Sequence, residues 1–496
     1  MAQRTKAALG TVVLSLLVAA CGSTVQVQST STVSDGLGGS TGSTTGADGL
    51  GSSTSGAGLP GTSGAAAVPH GGSTGGGTTV AGASTGGATP TGVLPTAAAV
   101  GGSSAKTPIR IGVISTPGLD AAAAAVGISG LETGDTQAQA AAVVGWIRTH
   151  GGLGGHPIQL FNYSINNSGS GEQAYQQACT AMAQDYRVRY VVSVLSMNPV
   201  MMPCLAKAGI GLLDDETGLA DGTMRRYASF LGNPGEFAPG RVLTTLVDDL
   251  WSRGWLTARS KVGVLAVDSA DGHTVNDTFL AAALRRHGLT VASTQFINPN
   301  GGDGGSSQSS AAVLKFRSAG VDRVLPVLYS PLYFMLAASS QGYRPAYAMT
   351  SGYGPGALLE GTAPKDQLAN SAGIGWQPFL DIGSGKKPGP VSPRQTLCFD
   401  IMRTSGQAST SPTAQGLQLQ VCNVLFYLKD LTDRLPAAPT NLLSVGRPLL
   451  GTSFLSADTF RTDLRHRTDG AAGFRSLAYQ QGCSCYQYVS GVKATP

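Results

Sequence analysis

Asp214-Asp215-Glu216 places three carboxylates in succession behind an apolar stretch, followed by the Thr217 hydroxyl. Such a group could serve acid–base chemistry, hold a cation, or accept hydrogen bonds from a polyol. On an extended segment, Asp215 and Glu216 face opposite ways. That argues against a glycosidase pair, whose carboxyls must flank one bond. The plainer alternative is that both are solvated loop residues. A second group, Asp268, Asp271 and His273, could supply a base or metal ligands, but its spacing matches no strong motif and suits a capped helix start. The esterase pattern Gly-x-Ser-x-Gly occurs at 38–42, 71–75 and 82–86, each time without the strand and helix that would make it a nucleophile elbow. The glycines of Gly151–Gly155 close a helix and enter a strand, which fits capping and a tight turn better than phosphate binding.

Cysteine use points to an exported chain. Arg4 and Lys6 precede an apolar run from Ala7 to Ala20, which ends in small residues before Cys21. This pattern reads as a secretory signal over residues 1–20. Six cysteines follow: Cys179, Cys204, Cys398, Cys422, Cys483 and Cys485. An even number in an exported protein suggests disulfides, although sequence leaves the connectivity open. Cys179 with Cys204 and Cys398 with Cys422 are favoured, because each pair lies on consecutive helices. Cys483 and Cys485 are then left over, free to bond to each other. No histidine falls at ligand spacing from these cysteines, so zinc is not expected, nor is any other cofactor or metal.

The elements that must position these residues begin late. Residues 21–105 are Gly, Ser, Thr and Ala with almost no charge, too poor in large apolar groups to offset the entropy of ordering. They read as a disordered tether spanning about 50 Å. From 106 onward, strands alternate with helices. Strands are expected at 109–114, 157–163, 189–195, 209–214, 261–267, 289–296, 322–328 and 346–350. Helices of about ten to fifteen residues lie between them, which indicates parallel βαβ units. Two successive runs of this pattern imply two sheets. After 374 the chain turns helical, with Leu417, Val421, Leu425, Leu428 and Leu435 on one face of a helix at 413–435, and a hairpin is expected at 474–490. Charged residues make up only 12% with net charge +5, and no basic run occurs, so nucleic acid is not an expected partner.

These residues carry a resemblance. Val18-Ala19-Ala20-Cys21 resembles the lipobox of bacterial lipoproteins, which implies diacylglycerol on Cys21. Strand 109–114, the turn Gly151-Gly152-Leu153-Gly154-Gly155-His156-Pro157-Ile158, segment 190–217 and segment 261–287 together resemble the type I periplasmic binding proteins, specifically the branched-chain amino-acid-binding proteins of ABC importers. The resemblance implies an α/β fold of two doubly wound parallel-sheet lobes joined by a three-crossing hinge. Lobe 1 would comprise 106–232 and 375–448, and lobe 2 would comprise 233–374 and 449–496. Crossings are expected near 230–236, 370–376 and 447–453, where Gly232, Pro234, Gly235, Gly446 and Pro448 suit linkers.

Ligands of open α/β sheets sit beyond the carboxyl ends of the strands. That rule nominates Ser115, Thr116, Ser196, Met197, Asn198, Asp214, Asp215, Glu216 and Thr217 from the first lobe. From the second it nominates Asp268 to His273 (Ala270 and His273 among them), Tyr329, Ser330, and Ser351 to Tyr353. Ser196 and Asn198 precede a helix, where free N–H groups could hold a carboxylate or the side chains could cap. The resemblance puts Ser196 where the family uses a serine for the ligand carboxylate, and Tyr329 near a second-lobe aromatic. Two departures count against an aliphatic amino acid: acidic residues replace small ones at 214–216, and 350–353 offers no acidic partner for an ammonium. A cationic solute or a polyol fits better. The chain is therefore read as a monomeric, non-enzymatic, solute-binding lipoprotein on the outer face of the cytoplasmic membrane, serving ABC permease subunits. The alternatives are a sensor of the same fold for a membrane signalling partner, or an envelope interaction protein with a vestigial cleft.

Overall fold

The computed structural model describes residues 106–118, 120–121, 132–165, 171–194, 200–215, 218–298, 305–383 and 392–496. Cys21 and the tether lie outside them. The first sheet is wholly parallel, with β1 (Ile109–Ser115), β2 (Ile158–Ser164), β3 (Tyr190–Ser193), β4 (Gly211–Leu213) and β5 (Leu231–Gly232) in the order β2-β1-β3-β4-β5. The second contains β6 (Val262–Val267), β7 (Val291–Ile297), β8 (Arg323–Val327), β9 (Ala346–Thr350) and β10 (Ala372–Gly375), parallel in the order β10-β9-β8-β6-β7. An antiparallel hairpin, β11 (Gly473–Gln480) and β12 (Cys485–Tyr488), extends its edge beside β10, and β13 (Lys493–Ala494) pairs with β11.

Each sheet is covered on both faces, which is why its strands are almost continuously apolar. Along β1, Ile109, Ile111 and Val113 join one core while Ile114 joins the other. Along β6, Leu265 and Val267 face one core, and Val262, Val264 and Ala266 the opposite one. The helices Thr136–Thr149, Pro393–Thr404 and Pro412–Arg434 supply one cover of the first sheet. The longest, Pro412–Arg434, starts where Ser411 caps Ala414 N–H, and Leu419, Val421, Val424, Leu425 and Leu428 are fully buried. Each such side chain contributes roughly 1.5–3 kcal/mol on burial.

The chain passes between the sheets three times. It leaves β5 for the helix Pro239–Ser252, leaves β10 for Pro393–Thr404, and leaves the helix Leu442–Leu450 for β11. The last passage is long, because Phe454, Ala457 and Leu464 remain packed against the first-sheet core. β10 was not anticipated from sequence. Its Gly373 is required, since a Cβ there would lie 1.8 Å from the Met349 carbonyl oxygen, and glycine weakens the strand signal. Disulfides join Cys179 to Cys204, Cys398 to Cys422 and Cys483 to Cys485. The first two tie neighbouring helices, and the third closes the tip of the β11–β12 hairpin.

Candidate ligand-binding site

A pocket partly open to solvent lies where the first and second crossings leave the sheets. Asp215 and Gly218, which follow β4, form one wall. Glu236 and Phe237 of the first crossing, with Pro239, Val242 and Leu243 of the next helix, form another. The strand ends of the second sheet contribute Leu328, Thr350, Gly352 and Tyr353, Val275 comes from the helix after β6, and Trp376 comes from the second crossing. The lining is chiefly apolar, its charged described residues are the acids Asp215 and Glu236, and no Lys or Arg is among them. Two features mark it as more than a packing gap. Leu328 has φ +53°, a left-handed backbone that costs a non-glycine residue about 1–2 kcal/mol. The indole N–H of Trp376 is buried without a partner among the described residues, a loss of about 1–3 kcal/mol that a ligand oxygen could recover. Trp376 is held by an edge-on contact with Phe237, ring centroids 5.2 Å apart.

Behind the pocket, buried polar groups link the crossings. Asp215 Oδ1 accepts from Gly235 N–H at 2.8 Å and Oδ2 from the Asn423 amide at 2.7 Å. Glycine suits position 235, because a Cβ would meet the Asp215 carboxyl at 2.9–3.0 Å and force it to shift. Asn423 Oδ1 accepts from Ala457 N–H at 2.9 Å and lies 3.0 Å from Ser456 Oγ. Ser456 Oγ also lies 2.7 Å from Asp458 Oδ1, and Asp458 Oδ2 accepts from the Gln377 amide at 3.2 Å. Ser456 Oγ also accepts from the Asp458 and Thr459 N–H groups, so its one proton goes to Asp458 Oδ1 or to Asn423 Oδ1. Burial raises Asp458 to about 6, with partial opposition from Ser456 and Gln377. Burial, reinforced by the nearby Asp458, likewise holds Asp215 well above the usual carboxylate range despite its bonds from Asn423 and Gly235. All three crossings meet in this network.

A second brace joins the sheets' units across the gap. Asp271, at the start of the helix Ala270–Thr274, accepts from Ala220 N–H at 3.1 Å and from the Thr223 hydroxyl at 3.2 Å. Two parallel-sheet units thus share a pocket at their connecting strands, and residues 108–381 match the family model described as periplasmic binding protein. The chain belongs to this family.

Solved periplasmic binding proteins of the type I fold are similar throughout. The LivJ substrate-binding protein of a branched-chain amino-acid transporter from Streptococcus pneumoniae, in complex with isoleucine, is 15% identical with TM-score 0.54, covering 78% of this chain and 99% of that one. The leucine-binding protein LivK from Thermotoga maritima is 11% identical with TM-score 0.56, covering 77% and 98%. An ABC-transporter solute-binding protein from R. palustris, in complex with 4-hydroxybenzoate, is 11% identical with TM-score 0.55, covering 78% and 98%. At such identities the likeness establishes the fold and leaves the ligand open. No curated protein sequence matches the chain.

Within this periplasmic-binding-protein frame, the nominated residues separate. Asp215 and Tyr353 line the pocket, and Tyr353 OH donates to the Pro326 carbonyl at 2.9 Å. Asp215 is 1% exposed, so it is not a solvated loop residue. Ser351 is fully buried, its Oγ accepting from Trp376 N–H at 2.8 Å and Gln377 N–H at 3.2 Å, so it braces the second crossing from behind. Tyr329 is fully buried in the second-sheet core, its OH 3.1 Å from Ser309 Oγ. Ser330 is half-buried with a hydroxyl that has no partner among the described residues, Thr116 is half-buried after β1, and Ala270 is exposed. His273 Nε2 lies 3.0 Å from Asp268 Oδ1, and its ring stacks on Phe296. None of these six lines the pocket. Ser196, Met197, Asn198, Glu216 and Thr217 lie outside the described residues. Glu236, Phe237, Val242, Leu243 and Trp376 lie on the crossings and on the helix Pro239–Ser252, where the strand-end rule does not reach. Aromatics make up only 6% of the chain, so Phe237 and Trp376 in Gly- and Pro-rich connections were the available signal. Among the described residues, no helix is long and apolar enough to cross a membrane, and no group of three or more His, Cys, Asp or Glu gathers as metal ligands.

Proposed function

We propose that the chain captures a small solute in the pocket between its two lobes and delivers it to the permease of an ABC importer, held to the membrane by lipid on Cys21. The observation that carries this reading is the composition of the pocket: both sheets' units and two of the crossings supply its walls. A solute seated there touches both sides and favours whichever lobe arrangement maximises those contacts, by its differential affinity for the two states. The apolar and aromatic lining, with Asp215 and Glu236 as its acidic groups, suits an apolar or aromatic body carrying a protonated amine or a hydroxyl. An oxygen on the same solute would engage the Trp376 indole. The absence of a basic side chain among the described lining residues disfavours a simple organic anion.

A thermal-shift screen with apolar amines, amino acids, polyamines, polyols and aromatic acids tests this. A ligand at a thousandfold excess over Kd adds about 4 kcal/mol of apparent stability. Apolar amines or hydroxylated aromatics should stand out. A flat response across the panel would remove the capture role. Fatty-acid labelling of the parent and of Cys21→Ser in a bacterial host tests the anchor separately, and retention of label by the variant would refute it.

A further inference from the structure

The three disulfides are not alike. Cys179, Cys398 and Cys422 are fully buried and Cys204 is half-buried, and the two bonds they form close separations of 25 and 24 residues. The Cys483–Cys485 bond closes a separation of 2. In the chain-entropy account the stabilisation from a cross-link grows with the loop it closes, so this bond contributes least to holding the fold. The hairpin does not depend on it: the β11–β12 ladder pairs Leu477 with Tyr488 and continues to Gln480 with Cys485. Two further observations point to reactivity. Cys483 is exposed while Cys485 is 6% exposed, giving one accessible sulfur and one sheltered sulfur. The Gln487 amide nitrogen lies 3.5 Å from Cys483 Sγ and 3.6 Å from Cys485 Sγ, so it can donate to whichever sulfur becomes a thiolate.

We propose that Cys483–Cys485 is a thiol–disulfide exchange site that accepts electrons from an external dithiol while the fold stays intact. A donor thiolate attacks exposed Cys483 Sγ, forming a mixed disulfide, and the bond to Cys485 Sγ breaks. Cys485 leaves as a thiolate beside the Gln487 amide and takes a proton from solvent. The donor's second thiolate then attacks its own sulfur in the mixed disulfide, and Cys483 departs and is protonated. In total, two electrons and two protons pass from the donor to the pair, and the donor ends as a disulfide. The site is remote from the pocket. β11 runs antiparallel to β10, with Arg475 beside Gly375 and Ala478 beside Ala372, so its Gln480 end lies opposite the pocket end of the sheet. Exchange there can proceed without touching the solute site.

The test uses the full, folded chain in buffers of graded reduced-to-oxidised dithiothreitol ratio, followed by acid quench, alkylation and peptide mass spectrometry. Cys483 and Cys485 should become alkylated at a ratio on the order of 100-fold lower than the other two pairs require, with the circular dichroism unchanged. Simultaneous opening of all three bonds, or loss of the folded signal as this one opens, would overturn the proposal. A second measurement uses Cys485→Ser with glutathione disulfide. The freed Cys483 should form a mixed disulfide in the folded variant, and failure to form that adduct would also overturn it.

Discussion

Replacing Asp381 with Asn should abolish a fall in stability between about pH 4 and pH 7. Asp381 is fully buried at the end of the short helix Pro378–Asp381, where Tyr488 OH donates to its Oδ2 at 2.6 Å. Burial raises its pKa from 3.8 to about 7, and hydrogen bonds from Tyr488 and Ser351 only partly oppose this. Above pH 3.8 the unfolded chain releases this proton while the folded chain keeps it, so folding binds a proton throughout the window up to about 7. The stabilisation is therefore complete below the unfolded value and is lost as pH rises through the folded one. At about 1.4 kcal/mol per pH unit, the loss at pH 8 is at most about 4 kcal/mol. Asn keeps an acceptor for Tyr488 and carries no charge. At pH 4 the variant should match the parent within about 1 kcal/mol, and at pH 8 it should be the more stable by several kcal/mol. Urea unfolding at a series of pH values, disulfides intact, measures both. Asp458 and Asp215 push the parent in the same direction, so the decisive quantity is the difference between the two profiles. Parallel profiles, or a parent whose stability rises across the window, would refute the reasoning.

Other expectations follow from the pocket and its braces. Trp376→Phe keeps the ring against Phe237 and removes the unpaired indole N–H, so the affinity of any solute found by screening should fall about tenfold, as one hydrogen bond is worth, in calorimetric titration. Asp271→Ala removes the acceptor for Ala220 N–H and Thr223, so small-angle scattering of the unliganded chain should give a larger radius of gyration than the parent's. Gly235→Ala drives a methyl against the Asp215 carboxyl, and thermal unfolding should report a loss of about 1–3 kcal/mol, typical of overpacking.

The fold was legible in sequence where elements were long and periodic. The apolar runs at 109–114 and 261–267 mark β1 and β6, and the stripe of four leucines and one valine marks the helix Pro412–Arg434. Two short elements were not legible. β5 has two residues and β10 four, half of them glycine, and both are strands because neighbours pair with them, not because their own residues prefer it. The pocket was half-legible for a related reason. A rule about strand ends leads to Asp215 and Tyr353, but the walls built by Glu236, Phe237 and Trp376 sit on connections whose course depends on how two sheets are spaced. Tyr329 illustrates the converse: it directly follows Leu328, a pocket residue, yet its side chain turns into the core. Nothing in the local sequence distinguishes the two directions.

Burial favours a proton on Asp215, and this has a consequence for uptake. A cationic solute that pairs with Asp215 must find it as an anion, and so must drive that proton into the surrounding water. Apparent affinity for such a solute then climbs with alkalinity, and the heat released on loading depends on the ionisation enthalpy of whichever buffer receives the proton. A neutral polyol, content with the protonated acid, would show neither effect, so two titrations in buffers of different ionisation heat tell one cargo from the other.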